Sequence, residues 1–293
     1  MGTVAELPQR VIDGDQSFAF VQSLAAELSG GKVQLAGFPE VAARVQHVLA
    51  DDDVSTDRVV KVISAEPVLA AQLLQISNSV ALNPSGRHIA DLKTAVARVG
   101  LNTVRTATIA FAVRQLRSAQ ELKPIAKQLG ALWERNVLVA SLCYVLARRR
   151  SRVNPDTALL TGLLHGVGRL YIMTRAVRHA ALFANPSSYQ LIERDWHLSI
   201  GTALLSNWGL ATEIVVAVRD SEDYAREPRE TASRTDVLVA ANIIAIHSDQ
   251  PEFLEARLAT VRAIAKLELT RDICETLVRE SAEEIAALRE ALA

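Results

Sequence analysis

The chain has 293 residues, of which 49% are hydrophobic, 22% are charged and 4% are aromatic. This composition supplies enough apolar side chains for a sizeable core in one or two domains. The 32 lysine and arginine residues nearly balance the 33 acidic residues, so the chain has no global charge that would attract nucleic acid or an acidic membrane. The low aromatic content also disfavours a surface that stacks nucleic-acid bases.

The sequence shows no targeting or membrane signal. Residues 1–15 mix acidic, polar and proline residues without the apolar segment of a signal peptide. The longest apolar stretches, such as Val237 to Ile246 with its internal Asn242, are much shorter than the roughly 20 residues that cross a bilayer. Cys143 and Cys274 lie in apolar helical patterns without paired spacing, which favours reduced core cysteines over a disulfide or metal site. We therefore expect a cytoplasmic protein.

Helical periodicity runs through the first half of the chain. It predicts helices over residues 38–49, 55–63, 66–78, 88–99, 102–116 and about 120–150. Pro39 stands where the first turn of a helix tolerates proline, and Ser55 is a suitable N-cap. A loop is predicted at residues 83–86, and Gly100 is expected to end a helix in the left-handed conformation.

Helical periodicity also runs through the second half of the chain. It predicts a helix from residue 155 that carries His165, followed by helices over residues 186–208, 211–219, 234–246 and 270–292. Asn154, Pro155 and Asp156 form a strong helix start, and the charged residues 220–233 are predicted to form a loop. The last helix is expected to dock on the core, with pairing to a second subunit as the alternative. Since no strand pattern competes anywhere, the fold class is predicted to be all-α.

A series of short motifs follows in a fixed order along these helices. They are Phe38-Pro39-Glu40-Val41 preceded by Ala36-Gly37, Glu66-Pro67-Val68-Leu69, the helix end at Asn78-Ser79, Gly100, Leu132-Trp133, Gly162 to His165, Gly168, His197, Gly201 and Trp208. The helix that opens at Glu66-Pro67 and ends at Asn78-Ser79 is the most specific of them. In this order the motifs resemble the HDOD domain family, a degenerate branch of the HD-domain fold found in bacterial signalling proteins.

The resemblance implies a division of the chain. Residues 33–247 would form the HDOD domain, in which an N-terminal helical part, residues 33–118, packs on an HD-like helical part, residues 119–247. Residues 1–32 would then be an N-terminal helical extension, and residues 248–293 would be C-terminal helices.

The resemblance also implies where an HD enzyme would hold its metal ion. Arg135 stands at the position of the first ligand histidine, and the His-Asp pair reads His165-Gly166. Asn242 stands where a distal aspartate is expected, and residues 219–222 replace a further His-His pair. One of the four expected ligands remains, and a lone imidazole does not hold a catalytic ion. We therefore expect no phosphohydrolase activity, no bound metal and no cofactor.

The residues around this vestigial site have two interpretations. His165 is expected to be a packed, hydrogen-bonded core residue, His197 a helix-packing or capping residue, and Arg135 a side chain that fills the former metal cavity. The alternative is a pocket for an anion or other ligand formed by these residues, in which Arg135 and Arg169, placed near the end of the His165 helix, bind an anion where a phosphate would sit.

Two other polar segments have simpler interpretations. Asn78 and Ser79 are expected to end their helix and shape the next loop, with a partner contact as the alternative. The basic run at residues 148–152 is predicted to be a solvated helix end that complements the helix dipole, because no nucleic-acid motif accompanies it.

The preferred function is a non-catalytic regulator or scaffold of bacterial signal transduction that binds other signalling proteins, as the resemblance implies. It would be a stand-alone module that receives its signal from a separate partner or a bound ligand. One alternative is a metal-dependent phosphohydrolase with an atypical ligand set, drawn from His165, His197 and acids near Asp195 or Asp220. A second alternative is a sensor for a nucleotide such as cyclic diguanylate.

Overall fold

A computed structural model describes residues 15–31, 33, 35, 39–51, 53–179, 182, 186–227 and 230–292. Within these ranges the chain forms fourteen α-helices and two 3-10 helices, without a strand. The predicted all-α fold is therefore confirmed. Residues 36–38, which carry the start of the first predicted motif, and residues 1–14 of the predicted N-terminal extension lie outside the described residues.

The first five helices are α1 (Asp15–Ser29), α2 (Glu40–Leu49), α3 (Thr56–Ile63), α4 (Pro67–Ser77) and α5 (Leu92–Ser118). Ser55 caps α3 as predicted, since its side chain accepts the Arg58 N–H at 3.3 Å. The predicted helix from residue 88 begins later, at Leu92, because the Asp91 carboxylate caps it there. Gly100 has a φ of 77° and kinks α5 at the predicted break.

The long helix predicted from residue 120 has two parts. A 3-10 helix spans Gln120–Ile125, and α6 spans Ala126–Arg150, because Pro124 lacks the N–H that an α-helix needs. Together they are long enough to cross a membrane and contain an apolar stretch of 18 residues with a mean hydropathy of 1.3, which was not predicted. Because 67% of this stretch is buried inside the protein, we interpret α6 as the central core helix.

Three helices follow around α6: α7 (Pro155–Leu164), α8 (Val167–Ala176) and α9 (Pro186–Asn207). Asn154 caps α7 as predicted by accepting the Thr157 N–H at 2.9 Å. His165 and Gly166 form the turn between α7 and α8. The expectation that Arg169 lies on the same helix as His165 was therefore wrong, because the chain changes direction at this turn and Arg169 belongs to α8.

The remaining helices are α10 (Thr212–Arg219), α11 (Arg234–His247), α12 (Pro251–Thr260), a 3-10 helix at Arg262–Leu267, α13 (Arg271–Glu280) and α14 (Ala282–Leu292). The helix predicted over residues 270–292 is thus two helices, which are separated at Ser281. The predicted loop at residues 220–233 contains only turns and bends where the structure describes it.

The C-terminal helices dock on the core, as predicted. The apolar face of α14 is buried, including Leu288. Arg148 at the end of α6 forms an ion pair with Glu284, and Arg150 donates two hydrogen bonds of 3.0 and 3.2 Å to the Leu267 carbonyl. Arg148, Arg149 and Arg152 are exposed, in agreement with the predicted solvated helix end. The prediction did not include the contacts with the C-terminal segment that Arg148 and Arg150 make.

Both cysteines belong to the hydrophobic core. Cys143 and Cys274 are unpaired and buried, as the sequence predicts. Burial raises the pKa of the Cys143 thiol, and raises that of Cys274 to about 11. Both thiols are therefore protonated and weakly nucleophilic at neutral pH.

Candidate functional site

Arg135, His165 and Asn242, three of the four residues predicted for the former metal centre, line one cavity of about 240 Å³. Its walls come from α6, α8, α9, α11, the turn between α7 and α8, and the loop after α10. It is lined by Leu132, Arg135, Asn136, His165, Arg169, Glu193, Glu222, Tyr224, Asn242 and Ile246. Of the six candidates from the sequence, the cavity is lined by Arg135, His165, Arg169 and Asn242, but not by Gly166 or His197.

His165 is held as a neutral imidazole. Its Nδ1 donates to the Gly162 carbonyl of α7, at 2.5 Å, since a carbonyl can only accept. Burial lowers the His165 pKa to about 4; the bond to Gly162 opposes this shift, and the charges of Arg135 and Arg169 add to it. His165 thus presents only Nε2, as an acceptor, at neutral pH. This geometry agrees with the predicted packed, hydrogen-bonded histidine.

The side chain of Asn136 fills the space beside Gly166. A Cβ built on Gly166 would lie 2.3 Å from the Asn136 Oδ1, far inside the contact distance of two heavy atoms. Asn136 is 3% exposed, and its Oδ1 has no hydrogen-bond partner in the described part of the chain. An aspartate at position 166 therefore cannot be accommodated unless Asn136 moves. Sequence reasoning missed Asn136, because a single amide in an apolar helix carries no motif.

Arg169 is held in a polar cluster with Glu193, His197 and Glu222, here called the Arg169 cluster. Its Nη2 lies 2.7 Å from Glu222 Oε1 and 2.9 Å from His197 Nε2, and its Nη1 lies 3.6 Å from Glu193 Oε2. The hydrogen bond with His197 is the main cause that holds the pKa of Glu222 below its usual value; burial opposes this shift, and the charge of Arg169 makes a smaller contribution in the same direction as the hydrogen bond. Two carboxylates therefore neutralise this guanidinium group.

His197 supports this cluster from α9. It is 2% exposed, its Nδ1 donates to the Glu193 carbonyl at 2.8 Å, and its Nε2 lies 3.0 Å from Glu222. The prediction of a helix-packing residue agrees with this burial. The suggested pairing of Arg135 with Arg169 as an anion site is not supported, because Arg169 is already bound by acidic side chains.

Arg135 differs from Arg169 in having no acidic partner. It forms no hydrogen bond or ion pair with any residue that the structure describes. Partial burial in the cavity lowers its pKa, and the charge of Arg169 lowers it further, but a guanidinium group remains charged at neutral pH. Asn242 reaches the cavity from α11 and is 7% exposed. The cavity therefore contains two guanidinium groups, two carboxylates and two neutral amides, and the Arg135 side chain is exposed.

The donor set does not resemble a metal centre. Among the described residues no three His, Cys, Asp or Glu side chains are grouped so that they could hold one ion. Glu193 and Glu222 line the cavity but face the Arg169 guanidinium. Asp195 and Asp220 themselves do not line it, and each pairs with the preceding arginine at 2.8 and 2.7 Å. Of the alternative ligand set, the cavity brings together His165 and two acids near those positions, Glu193 and Glu222, both of which pair with Arg169.

The motif residues outside the cavity serve the fold. Asn78 ends α4 and donates to the Leu74 and Ile89 carbonyls at 2.8 and 2.9 Å, and its Oδ1 accepts the Ile89 N–H. It thus ties the end of α4 to the segment that leads into α5, in agreement with the predicted structural role. Trp133 is buried in the core.

Solved structures of bacterial proteins share this fold. A putative metal-dependent phosphohydrolase from Shewanella amazonensis SB2B is 23% identical with a TM-score of 0.70, and the match covers 96% of this chain and 100% of that one. An HDOD domain protein from Geobacter sulfurreducens is 23% identical with a TM-score of 0.63, covering 92% and 97%. A putative signal transduction protein from Marinobacter aquaeolei VT8 is 20% identical with a TM-score of 0.57, covering 96% and 67%.

Sequence identities this low establish that the chain shares the fold of these proteins, but not that it catalyses the same reaction. No curated protein matches the chain. The sequence profile of the HDOD domain matches residues 35–224, which is more than half of the chain. The chain therefore belongs to the HDOD domain family.

Proposed function

We propose that this HDOD protein is a non-catalytic regulator or scaffold of signal transduction that acts by binding other signalling proteins. The observation that carries the proposal is the Arg169 cluster, in which the two carboxylates that line the cavity pair with a guanidinium group. A divalent cation would have to displace a guanidinium group that two carboxylates already neutralise, and it would then lie beside the unpaired charge of Arg135. Without a bound ion, no water is acidified for attack on a phosphate ester.

The structural relatives are compatible with this role. One of them is described as a putative signal transduction protein, and the chain shares its fold. Another is described as a putative metal-dependent phosphohydrolase, but a similarity at 23% identity does not carry the reaction to this chain. The phosphohydrolase alternative has one supporting observation, which is that His165, Glu193 and Glu222 line the same cavity. It requires Arg169 to leave these carboxylates.

A hydrolysis assay tests the non-catalytic half of the proposal. The wild-type protein and the His165→Ala variant are incubated with bis-p-nitrophenyl phosphate, a nucleoside monophosphate and cyclic diguanylate, each with manganese, magnesium or zinc. We expect both proteins to match the buffer blank, because His165 is a neutral, packed residue without an ion to bind. Hydrolysis by the wild type that His165→Ala abolishes would contradict the proposal.

Cross-linking tests the interaction half. The tagged chain is cross-linked in cells that produce it, beside two variants that place aspartate at exposed apolar positions. Val80 and Phe253 are 66% and 63% exposed, so their replacement should leave the core intact. We expect a reproducible partner protein that one variant loses while its circular dichroism spectrum is unchanged. If no protein exceeds the untagged control, the interaction half fails.

A further inference from the structure

We propose that the groove between α4 and α6, here called the α14 groove, is a helix-binding site for a signalling partner. In the structure α14 of the same chain fills it, and an amphipathic helix of the partner would take its place when α14 is released. α14 would then be an autoinhibitory strap. The inference rests on the proposed function, because it names the kind of partner that the regulator binds.

α14 lies in this groove as a helical ligand lies in a receptor. It packs on α6 and α4 through one face, on which Ile285, Leu288 and Leu292 are buried. The opposite face, with Glu283 and Arg289, is exposed. Grooves that recognise an amphipathic helix use apolar anchors at this spacing of one and two turns. The α14 groove thus has the shape and the apolar surface that such a helix requires.

An ion pair fixes the register of the helix in the groove. Glu284, in the first turn of α14, pairs with Arg148 of α6. One turn before Arg148, the buried Tyr144 donates to the Ala81 carbonyl at 3.1 Å. This bond joins α6 to the segment after α4 without the participation of α14, so the groove would persist when α14 leaves. A partner helix should therefore carry an acidic residue followed by apolar residues at the spacing found in α14.

α14 leaves part of the groove unfilled. A cavity of about 530 Å³ lies between the end of α4 and the last turns of α14, and Val80 at its edge is 66% exposed. Its lining includes Leu74, Asn78, Val80, Ile89, Ala287 and Ala291. A helix with larger side chains than these two alanines would bury this surface as well. Because a ligand shifts an equilibrium only through additional affinity for one state, these extra contacts allow a partner to displace α14.

The junction with α13 allows α14 to move separately. Ser281 alone separates the two helices, and changes in backbone angles at such element ends are the usual hinge of a moving segment. α13 has its own attachment to α6, since Arg149 pairs with Glu280 at 3.4 Å. Release of α14 would therefore leave α13 in place.

A peptide titration of the full chain tests the groove. The probe is a fluorescein-labelled peptide of residues 280–292, followed by fluorescence anisotropy. Leu288→Ala in the chain weakens the docking of α14 and leaves α4 and α6 unchanged. We expect this variant to bind the peptide at least about tenfold more tightly than the wild type, because a larger fraction of its grooves is open. The same peptide with Leu288→Ala should bind this variant at least about tenfold more weakly.

Leu254→Ala is the matched control for general destabilisation. Leu254 is a buried leucine of α12, which packs on α11. Its truncation should not increase the affinity for the peptide. Equal binding by Leu288→Ala and Leu254→Ala, or no binding by Leu288→Ala at millimolar peptide, would overturn the proposal. If Leu288→Ala does not fold, Glu284→Ala replaces it, with the exposed Glu283→Ala as its control and the same expected order.

Two further measurements separate the proposal from its neighbours. Hydrogen exchange of the wild type should show α14 amides that exchange faster than the interior of α6, and equal protection would mean that α14 is not released alone. Sedimentation should show a monomer. A dimer that the peptide dissociates would assign the groove to a second copy of the chain and overturn the assignment to a different partner. Phosphodiester hydrolysis would contradict the proposed function without changing the result of the peptide titration.

Discussion

The close contact between α8 and α9 allows the effect of one substitution on stability to be predicted in detail. A Cβ built on Gly168 would lie 1.8 Å from the His197 carbonyl oxygen and 2.8 Å from the backbone nitrogen of Gly201. Since non-bonded heavy atoms normally approach to about 3.5 Å, Gly168→Ala forces the two helices apart by more than an ångström. Both obstacles are backbone atoms, so no side-chain rotation relieves them.

We expect Gly168→Ala to lower the apparent free energy of unfolding by about 3 kcal/mol, the upper part of the range for overpacked cores. The measurement is urea denaturation followed by circular dichroism. Gly130→Ala is the matched control, because its Cβ would have only an ordinary contact of 3.7 Å with Arg117, and it should be neutral or stabilising by up to about 1 kcal/mol. A Gly168→Ala variant as stable as the wild type would refute the close-packing argument, and with it the position of His197 beside α8.

Three further predictions follow from other contacts. Gly166→Asp alone should not create metal affinity in a calorimetric titration with manganese, because a Cβ at position 166 would lie 2.3 Å from the Asn136 Oδ1. Tight binding of manganese by this variant would show that the ligand positions are misassigned. The hydrogen bond with His197 lowers the pKa of Glu222, so this carboxylate stabilises the fold above its usual pKa of 4.5 and the contribution is lost as the pH falls through the lowered value. The stability difference between wild type and Glu222→Gln should accordingly be larger at pH 7 than at pH 3, and a constant difference would argue against the contact. Arg148→Ala removes the ion pair that ties α14 to α6, so amide exchange should accelerate in α14 while the interior of α6 is unchanged; equal protection of α14 in both proteins would contradict this.

The parts of the fold that the sequence predicted well depend on local chemistry. Ser55 and Asn154 mark helix starts because each side chain satisfies an N–H three residues away. Gly100 marks the kink in α5 because its φ of 77° is unfavourable for other residues. These interactions are visible within a window of a few residues, and their positions were predicted correctly.

The parts that were missed depend on contacts between distant segments. Glu193 contacts Arg169 from α9 and Glu222 contacts it from the loop after α10, so no spacing in the sequence indicates the cluster. The ion pair of Arg148 with Glu284 was missed because the two residues lie 136 positions apart along the chain. The family resemblance located the cavity through Arg135, but it could not show which of the arginines in the cavity is already paired.

Elemental analysis of the purified chain tests the central claim most directly. The protein is incubated with manganese, iron, zinc and magnesium, desalted, and compared with His165→Ala treated in the same way. We expect no stoichiometric metal in either protein, because Arg169 holds the carboxylates of the cavity and Arg135 adds a second positive charge. A stoichiometric ion in the wild type that is lost in His165→Ala would contradict it and establish a functional metal centre.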